Sequence, residues 1–207
     1  MTEQQGIVAA ADTRAFFHER FSRILSRRKV RVDEHTEHYL VELLAACSRA
    51  EQLYDVDEQG RRHEVPVALL LARALEEPPA QRLRTFRRMG DRSLMVSGFF
   101  SDSLGRRLVD VDYYIAMGGR AYESAAGLTT AAPVARSFTQ VFEELAERFA
   151  SLVDCLMELS EEMRATRSQD MVRTYEKWLA TGSERLARRL AAAGILPAKA
   201  PKAGWLH

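Results

Sequence analysis

From Phe138 to Leu159 the apolar residues Phe138, Val141, Phe142, Leu145, Phe149, Leu152, Val153, Leu156 and Leu159 recur three and four positions apart. That spacing lines one broad side of an α-helix and cannot line one face of a strand, whose side chains alternate with period two. The stripe is too wide for a narrow coiled-coil seam. A chain carrying it must supply other helices to cover it, or share it with a second subunit as a homodimer. The sequence therefore predicts one long helix near 134–164.

The remainder follows the same rule. Asp12 is placed to cap a helix carrying Phe16, Phe17, Phe21, Ile24 and Leu25, which closes in "SRRKVRV", where cations suit the negative end of the helix dipole. A second helix from near Asp33 buries Leu40, Leu43, Leu44 and Cys47, with Tyr39 at its margin, and "YDVDEQGRRHEV" after it is the most turn-like internal segment. Pro66 opens a short apolar helix and Pro79 a longer one, in which Gly90, Ser93 and Ser97 make a small-residue stripe suited to close helix approach. Gly118 and Gly119 lie within a fifth helix, where they cost helix stability and so indicate tight packing. Past Thr166, Ser168 is expected to cap another helix, and "TGSE" at 181–184 has capping-box spacing for a last one. No segment has a strand pattern. The expectation is an all-α, single-domain helical bundle of about six to eight helices over 12–196, between a flexible lead at 1–11 and a flexible tail at 197–207.

Charge and cysteine usage narrow the classes. A formal net charge of +1 gives no global pull toward nucleic acid or anionic lipid. No apolar run approaches membrane-spanning length, and no secretory leader pattern opens the chain. Cys47 and Cys155 both fall on apolar helix faces, as buried thiols do in a reducing cytoplasm. Arginine far outnumbers lysine, the mark of a GC-rich, bacterial coding bias, which weakens any arginine count as a sign of phosphate recognition.

One stretch departs from the leucine-and-charge alternation. "SGFFSDSLGRRLVDVDYYIAMGG" crowds aromatic, acidic, basic and small residues together at a corner between helices. Asp102, Arg106, Arg107, Asp110, Asp112, Tyr113, Tyr114, Arg120 and Tyr122, with Asp91 upstream, can converge there to recognise a charged small molecule or a protein partner through carboxylate–arginine pairs and tyrosine faces. The competing reading is a structural corner in which Asp110 or Asp112 only caps a helix.

"DEHTEHYLVE" places His35, His38 and Glu42 at helical spacing, and His18 of the first helix can join them as a metal or heme site. Against that stands the absence of Glu-x-x-His pairs, of His-Glu-x-x-His and of Cys-x-x-Cys-His. Gly-x-Ser-x-Gly and P-loop glycines are also missing, so no catalytic residue is assigned and no cofactor is expected. Arginines in "SRRKVR" and at Arg82, Arg84, Arg87 and Arg88 make a nucleic-acid surface the third reading. The leading one is a non-catalytic interaction or regulatory module working through the 99–122 corner with a protein partner. The second is a helical-bundle metal-, heme- or ligand-binding enzyme or carrier.

Overall fold

The computed structural model describes residues 2–47, 55–56, 62–63, 65–101, 110–129 and 136–195. The fold is all-α, as the hydrophobic periods require. Among the described residues the helices are α1 (Thr2–Arg28), α2 (Glu34–Cys47), α3 (Val67–Glu76), α4 (Pro79–Leu94), α5 (Val111–Thr129), α6 (Arg136–Glu147), α7 (Phe149–Thr181) and α8 (Glu184–Ala192). Two two-residue strands, Asp55–Val56 and Arg62–His63, form an antiparallel rung inside the segment read as turn-like.

By compactness the chain falls into two units, Met1–Ser160 and Glu161–His207. In the first, α4 and α5 form the most extensive helix pair, followed by α5 with α6, α3 with α4, and α1 with α2. Its core gathers the apolar stripes expected from the sequence: Phe17, Phe21 and Ile24 of α1, Leu40 and Leu44 of α2, Phe86, Met89 and Leu94 of α4, and Leu145, Leu152 and Leu156 of α6 and α7. Burying each such side chain is worth about 1.5–3 kcal/mol. In the second unit Trp178 and Leu190 are buried, with Tyr175 edging the indole at 5.6 Å between ring centres.

Several boundaries differ from the sequence reading, each for a physical reason. α1 starts at Thr2, well before Asp12, because "VAAA" at 8–11 favours helix strongly enough to carry the turn backward. The predicted 134–164 helix is two, parted at Arg148, although backbone hydrogen bonds from Arg148 to Glu144 (3.0 Å) and from Leu152 to Arg148 (2.9 Å) carry the ladder across the joint. Ser168 lies inside α7, since a cap residue interrupts a helix only where glycine, proline or a loop allows it, and 149–181 contains neither glycine nor proline. The N-cap of α8 is Ser183, without a side-chain capping bond, while the Thr181 hydroxyl donates to the Lys177 carbonyl.

The end of α1 shows how the sequence stops a helix without glycine. The Val30 amide donates to the Leu25 carbonyl (3.0 Å) and the Lys29 amide to that of Ser26 (3.2 Å), a Schellman closure that holds Lys29 at φ 58°. An L-residue in this left-handed conformation costs about 1–2 kcal/mol, part of which glycine recovers. Lys29→Gly is therefore expected to raise the unfolding free energy by about 1 kcal/mol in urea titrations; an unchanged or lowered value contradicts this account. In the last turn of α1, the Arg27 and Arg28 guanidinia donate to Glu158, tying α1 to α7.

Candidate functional site

The polar centre of the bundle lies where α2, α4 and α5 meet. α4 presents small residues at the crossing, and α5 answers with aromatic and small ones. An ideal Cβ on Gly90 would stand 2.6 Å from Tyr122 Cε1, and one on Gly118 would stand 2.2 Å from Phe149 Cζ and 2.7 Å from Ser93 Cβ. Both are closer than packed atoms approach, so glycine is required at each. Gly119, one position on, would place its Cβ at an ordinary 3.8 Å from Phe149. The helices approach through Gly90, Ser93 and Gly118, close to the stripe the sequence marks.

That approach carries the Tyr122 ring, fully buried, into the bundle against Asp91. The Tyr122 hydroxyl donates to Asp91 Oδ1 at 2.8 Å, and the Tyr39 hydroxyl of α2 donates to the same oxygen. Arg87, one turn before Asp91, lies with Nε 3.6 Å from Asp91 Oδ2, donates from Nε to the Tyr39 hydroxyl (3.0 Å), and stacks its guanidinium over the Tyr39 ring at 5.2 Å. Phe142 of α6 backs both phenols, stacked on Tyr122 (6.0 Å, 15°) and edge-on to Tyr39 (6.1 Å, 86°). A single carboxylate thus joins three helices, and its side chain is only 19% exposed.

The electrostatics oppose one another. Burial pushes the Asp91 carboxyl up, while hydrogen bonds from Tyr39 and Tyr122 and the Arg87 charge pull it down; burial wins and the net shift is upward. Burial, then the charge of Asp91, also raises both phenols, so they stay protonated and remain donors. Cys47 of α2 is pushed up to about 12 by burial and then by Asp91, which leaves it a thiol.

On α4 the helix widens directly after this centre into a π-helical segment, Met95–Phe99. Ser97 within it donates to the Ser93 carbonyl (2.7 Å), and the Ser93 hydroxyl is buried with no hydrogen-bond partner among the described residues. Such wide turns recur at functional positions in helices. Phe99 at the end of the segment meets Phe17 of α1 edge-on at 6.3 Å.

The described residues of the predicted corner do not all stand together. Asp102, Arg106 and Arg107 lie outside the described residues. Asp110 accepts the Val111 amide at 2.6 Å beside the start of α5. Tyr114 and Tyr122 are buried, whereas Asp112, Tyr113 and Arg120 are on the exposed side of α5, Tyr113 with its ring edge-on to Tyr114. Asp91 and Tyr122 are therefore brought together as expected, but their other partners are Tyr39 and Arg87, which the sequence places in a helix margin and an arginine cluster. A four-residue Arg87–Asp91 spacing was the available signal for one of them. Tyr39 carried none, because its role depends on which helices become neighbours.

The histidine segment is spread along α1 and α2. His18 is 3.7 Å from Glu37, Glu42 pairs with Arg14, and His35 and His38 are exposed. Among the described residues, no three His, Cys, Asp or Glu side chains form a group able to hold a metal ion. The arginines weighed for nucleic acid are largely engaged: Arg82 donates to the Ala74 and Leu75 carbonyls (2.9 and 3.3 Å) and so closes the C-terminal end of α3, and Arg87 belongs to the Asp91 centre. Among the described residues no helix is long and apolar enough to cross a membrane. Comparisons with protein-family models, with curated proteins and with solved structures find no match to this chain.

Proposed function

We propose that this protein is a non-catalytic interaction module that binds a protein partner through the outward side of α5 and the corner preceding it. The observation that carries the reading is the division of α5. Its inner side, Tyr114, Gly118, Ala121, Tyr122 and Ala125, is locked into the bundle. Its outer side offers Asp112, Tyr113, Arg120 and Glu123, all exposed, with no hydrogen bond or ion pair engaging the four side chains among the described residues. A tyrosine, an arginine and carboxylates on a rigid helix are the residue types that anchor protein interfaces, and a rigid support lowers the ordering cost of binding. Asp91 serves this reading as scaffold, since its Oδ1 already accepts from two phenols of the bundle and Arg87 of its own helix lies beside Oδ2. Two free, buried cysteines support a reducing cytoplasmic setting, and the arginine bias supports a bacterial origin.

The test is a photo-crosslinking residue at position 113, expressed in the encoding organism. One discrete adduct is expected, lost on Arg120→Glu while the thermal midpoint of that variant stays within about 2 °C of the parent, as suits an exposed substitution. Diffuse adducts, or one indifferent to Arg120→Glu, would sink the proposal.

A further inference from the structure

Among the members of the Asp91 centre, Arg87 is the one that is exposed. Arg87 is 51% exposed, and its Nε alone faces inward, toward Tyr39 and Asp91. The terminal nitrogens, Nη1 and Nη2, make no hydrogen bond among the described residues, so the outer edge of the fork is unpaired. The guanidinium is nevertheless held still, by a hydrogen bond from Nε and by the Tyr39 ring beneath it at 5.2 Å. A clamped arginine with an open donor edge has already lost the freedom that binding would otherwise remove, and its geometry matches the two oxygens of an oxyanion. Arg84, three residues earlier and thus on the same helix face, is exposed and engaged by no hydrogen bond or ion pair among the described residues.

We propose that the outer edge of Arg87, aided by Arg84, is a receptor for one oxyanion group, a carboxylate or a phosphate-like ion, and that this group shares the guanidinium with Asp91. Sharing has a thermodynamic consequence. While Asp91 is ionised it already balances the arginine charge; once it takes up a proton the full cationic charge is available to the ligand. Ligand affinity therefore rises as pH falls through the Asp91 transition, and by reciprocity the bound anion favours protonated Asp91. The groups facing Asp91 are Tyr39 and Cys47 from α2, Arg87 from its own helix and Tyr122 from α5, while Phe142 of α6 adds an uncharged ring behind the phenols. Burial holds the carboxyl above its ordinary range, which brings that transition closer to neutrality. The proposal concerns α4 and stands independently of the α5 surface.

Sulfate is the first probe, because its charge does not change across the pH range used. Full-length protein labelled on arginine side chains is titrated by NMR at about pH 5 and about pH 7.5, the first a little above the ordinary carboxylate range and the second near neutrality. A saturable shift of the Arg87 Nε–H is expected, at least about threefold tighter at the lower pH. With Arg87 replaced its own signal is gone, so binding in those variants is read at the Arg84 Nε–H: Arg87→Gln should abolish saturation there, and Arg87→Lys, which keeps the charge but not the fork, should weaken it. Asp91→Asn should lose most of the parent's pH dependence; charge gained elsewhere on the surface is common to both proteins and cancels when the two dependences are compared. A parallel titration with a short acetylated oligoglutamate peptide separates the sources: tighter peptide binding assigns the edge to an acidic protein segment, and tighter sulfate binding to a small inorganic oxyanion. A linear, unsaturable response at Arg87 in the parent, saturation at Arg84 unaffected by Arg87→Lys, or a pH dependence as large in Asp91→Asn as in the parent would overturn the proposal.

Discussion

Asp91→Ala is expected to lower the unfolding free energy by about 3 kcal/mol, because it strips the acceptor from the fully buried Tyr122 phenol and the part-buried Tyr39 phenol at once and each unsatisfied donor costs about 1–3 kcal/mol. Tyr122 is the more exposed to this loss in energetic terms, since its hydroxyl lies in the fully buried part of the centre and the carboxylate is its acceptor. Asp91→Asn keeps an acceptor oxygen in place and should cost only about 1 kcal/mol. The pair also carries a pH signature. A carboxyl raised above its ordinary value of 3.8 contributes stability that is fully present below that value and fades as pH rises through the raised one. The stability difference, parent minus Asp91→Asn, should therefore shrink as pH rises across this interval, whereas a salt-bridged carboxylate would make it grow. Urea unfolding of both proteins over a pH series decides the sign. A difference that grows with pH would mean that the phenols and Arg87 outweigh burial.

Gly118→Val is expected to cost about 3 kcal/mol or to prevent folding, as overpacking a well-filled crossing typically costs about 1–3 kcal/mol and more when the surroundings cannot yield. The first added carbon already falls 2.2 Å from the Phe149 ring and 2.7 Å from Ser93, and the Phe149 ring is itself lodged against Tyr122 at 5.9 Å. Shortening the obstacle should help: Gly118→Val with Phe149→Leu should recover about half of the loss relative to Phe149→Leu alone, a coupling between contacting sites. Gly119→Ala is the counterpart. Its methyl meets Phe149 at an ordinary 3.8 Å, and alanine is favoured over glycine inside a helix by about 1 kcal/mol, so this variant should be neutral or more stable. Thermal unfolding of the two neighbours is a direct comparison, and equal losses at both would refute the crossing geometry.

The contrast between these glycines measures what was legible in the sequence. Two adjacent glycines in a helical pattern announce close packing, but they point about 100° apart, and only the placement of Phe149 shows that Gly118 bears the contact. Helix identity was readable because periods of apolar residues are local. The division at Arg148 was not, since its flanking residues keep the same period. At the candidate site, Asp91 and Tyr122 were visible as members of the mixed acidic, basic and aromatic group near the corner. Tyr39 was not, for it lies more than fifty positions from Asp91 and shares no pattern with it. The role of Arg87 was obscured by its neighbours, because Arg82, Arg84 and Arg88 made it look like one member of a basic surface, whereas Arg82 closes a helix end and Arg87 stacks on a phenol.

The wide turn at Met95–Phe99 adds a phase to this. An i→i+5 turn holds more residues than an α turn, so each residue in it rotates less and later positions lag around the axis behind the α-helical count. Ahead of the turn the small residues Gly90 and Ser93 face Tyr122 and Gly118 of α5; within it, Gly98 faces α7, where an added Cβ would stand 2.7 Å from that of Leu156. A helical wheel drawn with one period from Pro79 to Phe100 therefore slips out of step toward its end, and the slip is what lets a single helix serve two neighbours in succession.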